Sequence, residues 1–191
     1  MINKATKRIV SILLENEKVS SEEVEIYQYA VECLLLKIIS FMSILFVAVV
    51  MNCLFEYLII VFAFSLIRRN AGGYHSKTRI GCFVFSLLLF AFTMIVLKVE
   101  IGINIDCFLL LIQGVIIMIL SPVDTKNRRM DKLERRFFKK QTIFSTVFLL
   151  VVYFIINRWV EHYSRCIVMG MGIESVLLIL GMISNKSRFV H

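Results

Sequence analysis

The 191-residue chain contains a single proline, Pro122, a single tryptophan, Trp159, three histidines and five cysteines, and only 19% of its residues are charged. Each scarcity removes a class. A soluble globular domain carries about a quarter charged residues and about 45–50% apolar ones, whereas this chain is 59% hydrophobic, so its surplus Leu, Ile, Val and Phe must face something other than water. Five cysteines in 191 residues are too few for a disulfide scaffold. His191 has no Cys or His partner three to five residues away and His162 has only Cys166, too few ligands for a metal site, so neither a metal nor an organic cofactor is expected. With no proline inside the long apolar runs, nothing there breaks a helix. The composition also excludes disorder, and the length allows one domain, 1–191.

What is present is a set of hydrophobic runs. A bilayer core takes about 20 mostly apolar residues per spanning helix, with about 17 tolerable. The runs are Ile38–Phe55, Tyr57–Ile67, Ile80–Val99, Ile101–Leu120, Thr142–Ile156 and Cys166–Ser184. The second, at eleven residues, spans only if Glu56 sits at an interface and the helix borrows residues from Arg68 onward; otherwise it is re-entrant and tucked into protein. Residues 1–36 read as two short amphipathic helices on the membrane surface, with no cleavable targeting segment. Ile2, Ile9, Val10, Leu13 and Leu14 would cluster on one face of the first. Ser20 and Glu23 have capping-box spacing for the second, whose apolar stripe runs through Val24, Tyr27, Val31 and Leu34/Leu35. The expected fold is therefore all-α and polytopic: about six transmembrane or partly re-entrant helices in 37–184, preceded by interfacial helices.

The net charge of +8 is unevenly placed. Arg68–Arg79 carries four Lys/Arg and Asp124–Lys140 carries eight, within a basic loop at 121–141, so both should be cytoplasmic. Only Lys98 lies between the third and fourth spans, and only Arg158 and Arg165 lie in Asn157–Arg165, which should face outward. Residues 1–37 hold five Lys/Arg and the tail holds Lys186 and Arg188, so six spans with both termini on the cytoplasmic side of a cell membrane are expected. Three acids against eight bases give Asp124–Lys140 a net +5, a field that would attract anionic lipid or an acidic peptide. Nucleic acid fits poorly, because Phe137 and Phe138 are the only aromatics there and no recognition fold is visible.

The chemically suggestive stretch is Arg68-Arg69-Asn70-Ala71-Gly72-Gly73-Tyr74-His75-Ser76-Lys77-Thr78-Arg79-Ile80-Gly81-Cys82. Gly72-Gly73 breaks a helix and permits close backbone approach, which puts His75 on a loop. On one continuous helix His75 and Cys82 would share a face but stand about 10 Å apart along the axis. Proton transfer requires the loop to fold back over the helix start. A helix N-terminus capped by Thr78, the cations Lys77 and Arg79, and His75 itself would each favour a Cys82 thiolate. A Cys–His pair is sufficient for attack on a peptide carbonyl. Arg68 or Arg69 would supply charge near an oxyanion or bind a substrate carboxylate. Asn70 could orient His75, and Ser86, one turn after Cys82, could hydrogen-bond near the sulfur. Cys33, Cys53, Cys107 and Cys166 read as small hydrophobes, although the last three lie near outer membrane ends where a disulfide is conceivable. Glu174, inside the sixth run, should face the protein interior or a partner subunit.

These features together resemble the accessory gene regulator protein B family, AgrB, of Gram-positive quorum-sensing systems. The likeness rests on the Arg-Arg-x-x-x-Gly-x-His block at Arg68–His75, on Cys82 seven positions after that His, and on Pro122-x-Asp-Thr-Lys-Asn, and covers essentially the whole chain. It implies a membrane cysteine endopeptidase, with Cys82 and His75 catalytic, that acts on an AgrD-type pro-peptide. The acidic C-terminal tail is released, a thioester forms on Cys82, and a Cys or Ser of the precursor closes a thiolactone or lactone ring. It further implies a homodimer, and an acidic tail facing Lys126, Arg128, Arg129 and the rest of the basic loop. Gly72 and Gly73 transfer as motif positions. Two other classes remain open on the sequence: a small peptide transporter, supported by Glu174 but lacking any internal repeat, and a non-catalytic scaffold binding acidic partners.

Overall fold

The structure, a computed structural model, describes residues 6, 8–12, 24–74, 79–99, 103–123 and 130–186. Among these the secondary structure is almost entirely helical, with six long helices: α1 Val24–Val50, α2 Leu54–Ala71, α3 Arg79–Leu97, α4 Ile103–Leu120, α5 Lys132–Asn157 and α6 Glu161–Lys186. All six predicted runs thus appear as helices, and the chain is an all-α protein of polytopic type. Ala30–Val50, Lys132–Asn157 and Glu161–Ser184 are each long and apolar enough to cross a membrane. The chain divides into two units, one formed by residues 1–47 and 76–90, the other by 48–75 and 91–191.

In the first unit the amphipathic region differs from its expected form. Residues 8–12 are helical, but Val10 is buried while Ile9 and Ile12 are exposed. Ile2, Leu13, Leu14 and the Ser20/Glu23 capping box lie outside the described residues. The second amphipathic helix and the first span are not separate elements, because α1 runs unbroken through Lys37. No glycine or proline occurs between Val24 and Val50, and each residue added to an existing helix gains a hydrogen bond at no new nucleation cost. Leu34, Ile38, Met42 and Phe46 recur at four-residue spacing along one exposed apolar stripe.

In the second unit a tight turn leads out of α1, with Asn52 at φ 55, a left-handed conformation that Asn tolerates. The short second run is extended at both ends, though its helix is not among those long and apolar enough to cross a membrane. Helix α2 has 18 residues, with Glu56 in its first turn and Arg68 and Arg69 in its last, giving about 27 Å at 1.5 Å per residue. Helices α5 and α6, 26 residues each, are joined by Arg158-Trp159-Val160 and form an antiparallel hairpin. Trp159 is 84% exposed at that turn, where an aromatic side chain suits a membrane interface. Phe144, Val147, Phe148, Val151, Phe154 and Ile155 expose an apolar face of α5, whereas α6 is mostly buried.

Helix α6 is the centre of this unit. At Gly170 an added Cβ would stand 2.8 Å from both the Ala63 Cβ and the Ile60 carbonyl oxygen, so α2 and α6 meet at near backbone contact, as small residues allow between apolar helices. Around that crossing Ile67, Leu110, Ile117, Leu149, Tyr153, Met171 and Leu178 form the core. Polar pairs fix direction. His162 reaches Glu56 at 3.0 Å, and Arg165 reaches Asp106 at 2.8 Å, so α2, α4 and α6 begin at one end. Ala71–Tyr74, Ser121–Val123 and Leu177 gather at the other.

Candidate functional site

Helix α2 stops where its sequence can no longer continue right-handed. Gly72 and Gly73 have φ of 73° and 122°, a region closed to most side chains. The Gly72 N–H donates to the Arg68 carbonyl at 3.3 Å, and its backbone pairs in parallel with Val123, whose N–H donates to the Ala71 carbonyl at 2.9 Å. A Cβ on Gly72 would lie 2.6 Å from the Val123 oxygen, and one on Gly73 would collide with the Arg68 guanidinium. The Tyr74 N–H donates to the Leu177 carbonyl of α6 at 2.9 Å. That approach needs Gly181, one helical turn later, since a Cβ there would stand 2.9 Å from the Tyr74 nitrogen.

Arg68 closes the arrangement. Its Nη1 donates to the Gly72 carbonyl and its Nη2 to the Tyr74 carbonyl, the latter at 2.7 Å. Nη1 also lies 3.8 Å from Oε2 of Glu174, which is fully buried. Glu174 faces the interior, as an acid within an apolar run should. Arg68 therefore holds the loop backbone, while Arg69 beside it is exposed and Asn70 is half-buried.

Helix α2 ends at Ala71, Gly72–Tyr74 are not helical, and α3 begins at Arg79. Cys82 is the fourth residue of α3, in its first turn, and Ser86 follows one turn later, half-buried. His75, Thr78, Lys126, Arg128 and Arg129 lie outside the described residues. Of the basic loop, Lys132, Arg135, Arg136 and Lys140 are exposed on the first turns of α5. Lys139 is not available in the same way. Its Nζ donates to the carbonyls of Met118, Ile119 and Ser121, at 2.7 Å for Ser121, and so caps the C-terminus of α4 with a cation.

At the opposite end Arg165 Nε donates to Asp106 at 2.8 Å and Nη1 to the Val99 carbonyl at 2.9 Å. Cys53, Cys107 and Cys166 are free thiols. Among the described residues no group of three or more His, Cys, Asp or Glu side chains could hold a metal ion.

Residues 6–178 match the family profile described as Accessory gene regulator B. The chain belongs to the AgrB family. It is 30% identical over 135 residues to the accessory gene regulator protein B of Staphylococcus aureus strain MW2, which covers 70% of each chain. It is 26% identical over 161 residues to an AgrB-like protein of Clostridium perfringens strain 13, covering 79% of this chain and 75% of that one. No solved structure matches. AgrB proteins belong to the accessory gene regulator systems of quorum sensing and are membrane-associated. Within this AgrB chain, sequence reasoning marked Arg68, Gly72 and Gly73 but missed Leu177, Gly181 and Lys139. The signal for Gly181 was a glycine in a helix that does not turn; a backbone acceptor such as the Leu177 carbonyl leaves no trace in side-chain chemistry.

Proposed function

We propose that the chain is a multi-pass membrane cysteine endopeptidase that cuts an AgrD-type pro-peptide and promotes its cyclisation. One observation carries most weight beside the family. The backbone leading into His75 is held by hydrogen bonds at Ala71, Gly72 and Tyr74, and Cys82 stands in the first turn of α3, where the peptide dipoles favour a thiolate.

In this reading the Cys82 thiol gives its proton to His75 and the thiolate attacks the scissile carbonyl carbon. Collapse of the tetrahedral intermediate breaks the C–N bond as His75 returns the proton to the leaving amine. The acidic tail departs, and the leader half remains as a thioester on Cys82. A thiol or hydroxyl within that peptide then loses its proton to His75, attacks the thioester carbonyl and closes the ring, and the Cys82 sulfur leaves and is reprotonated. Exchange of one thioester for another costs little while water is kept away. The exposed bases of α5, with Lys126, Arg128 and Arg129, would draw the acidic tail. The positive charge of the loop-bearing end supports a cytoplasmic site at the cell membrane. The precursor's amphipathic leader would share the lipid surface with the N-terminal region, and a homodimer is the working assembly.

Co-expression with a precursor tests this directly. Cys82→Ala and His75→Ala should each abolish cleavage while the protein still inserts in the membrane, and a thioester between leader and Cys82 should be trapped by mass spectrometry. Processing that persists in both variants overturns the proposal. If charge reversal across Lys126–Lys140 were the only damaging change, a scaffold role would replace it.

A further inference from the structure

The bases at the start of α5 do not all point the same way. Helix α5 is 26 residues long, about 39 Å at 1.5 Å per residue, and so exceeds a bilayer core of about 30 Å. Counted back from the Trp159 turn, that core takes about 20 residues and ends near Phe138. Arg136 and Lys140 therefore flank the lipid boundary, at the level where Lys139 caps the C-terminus of α4. Arg136, Lys140, Phe144, Val147 and Val151 are spaced by four, four, three and four, which sets them in one stripe, and all five are exposed. The buried side of the helix carries Thr142, Ser145, Thr146, Leu149 and Tyr153 instead. Lys139, turned toward α4, is not part of the stripe. Two acids begin the helix, but the Asp131 N–H donates to the Glu134 carboxylate at 3.3 Å. Neither acid stands three or four residues from Arg136 or Lys140, the spacing at which helix-surface charges pair.

We infer that this stripe is a site for an anionic phospholipid, its phosphate held between Arg136 and Lys140 and its acyl chains lying along Phe144, Val147 and Val151. The inference rests on α5 crossing the membrane, for which it is long and apolar enough, and is independent of the peptidase chemistry. Two cations one turn apart, about 6 Å along the axis, bracket a phosphate. Their long stems let the charged ends reach the headgroup layer while the methylenes stay on lipid. The occupant must carry net negative charge, because a zwitterionic headgroup would bring its own ammonium against the two bases. A peptide is the poorer fit: the stripe continues inward as apolar side chains at membrane depth, where an extended backbone would have no hydrogen-bond partners. The bases of α5, alike in sequence, thus divide. Lys139 serves the fold, and Arg136 and Lys140 serve the lipid.

The test uses the full-length protein in phosphatidylcholine vesicles, with Trp159→Phe and Phe144→Trp so that the sole tryptophan reports on the stripe. Phosphatidylglycerol brominated on its acyl chains is added at low mole fraction, and its quenching is compared with that of brominated phosphatidylcholine. A surface cation favours anionic lipid by about fivefold, so phosphatidylglycerol at the tryptophan should exceed its bulk fraction at least about fivefold. Arg136→Gln with Lys140→Gln should bring it down to the bulk fraction. Should that variant fail to accumulate, Lys140→Gln alone should lower the enrichment. Lys132→Gln with Arg135→Gln removes as much charge from the same turns and should leave most of the enrichment in place. The inference is overturned if the two lipids quench alike in the reporter chain, or if both double variants lose the enrichment equally, which would make it a diffuse field. It is also overturned if a short Glu-rich peptide abolishes the enrichment, which would make the stripe a peptide surface. Quenching by neither lipid would mean that α5 does not cross the membrane, and the membrane reading would then fail before the site does.

Discussion

The two ends of the second unit are both closed by an arginine and a carboxylate, yet they are built differently. At the end where α2, α4 and α6 begin, Arg165 and Asp106 meet side chain to side chain at 2.8 Å, both almost buried. At the other end Arg68 stands 3.8 Å from Glu174 and spends two donors on backbone carbonyls. The first pair holds helices together. The second holds a stretch of chain that has left its helix, and three glycines, Gly72, Gly73 and Gly181, are committed to letting it lie there. An end designed only for stability would have covered such backbone with side chains; this one keeps it close-packed and leads it straight into His75.

That contrast can be broken experimentally, and the largest effect should come from the tight end. Arg165→Leu leaves Asp106 buried without its partner and should cost about 3–5 kcal/mol of stability, read as loss of folded protein on heating in detergent. Pairing it with Asp106→Leu should restore most of that loss. Activity per folded molecule should stay near wild type in the double variant. Gly181→Ala should do the opposite. Its Cβ would meet the Tyr74 nitrogen at 2.9 Å, so precursor processing should drop at least about tenfold, with little change in thermal stability. Gly114→Ala is the control, since its nearest neighbour would be an ordinary 3.8 Å away. Lys139→Met removes the cation that caps α4 and should cost on the order of 1 kcal/mol, a charged hydrogen-bond donor discounted for partial exposure. The neighbouring exposed Lys140→Met should cost nothing measurable in the same assay. Apart from the controls, the smallest effect belongs to His162→Gln. His162 is 53% exposed, so loss of its contact with Glu56 should stay below about 1 kcal/mol.

Much of this architecture is legible in the sequence. Six apolar runs became six helices, because burial in lipid and the absence of proline leave a long apolar segment few alternatives. The break at Gly72-Gly73 was equally plain, since two adjacent glycines ahead of a polar stretch have no helical reason to exist. Glu174 announced itself by its cost. What stayed hidden was of two kinds. The continuity of α1 through Lys37 depends on how far an existing helix propagates, which a single cation in an apolar sequence does not reveal. The other kind is backbone recognition: Arg68 on two carbonyls, Lys139 on three, and Tyr74 on Leu177 pair side chains or amides with groups that every residue carries. No residue pattern encodes the acceptor, so Arg68 and Lys139 read as free charges awaiting a substrate when both are in part structural.

Helix α2 and the turn that follows it are tied to α6 at three heights: Glu56 with His162, Ala63 against Gly170, and Tyr74 with Leu177. A slip of a single residue, about 1.5 Å along the axis, would undo all three at once. The pair cannot telescope. Set in a bilayer, such a pair would answer a change of thickness by tilting as one body rather than by sliding.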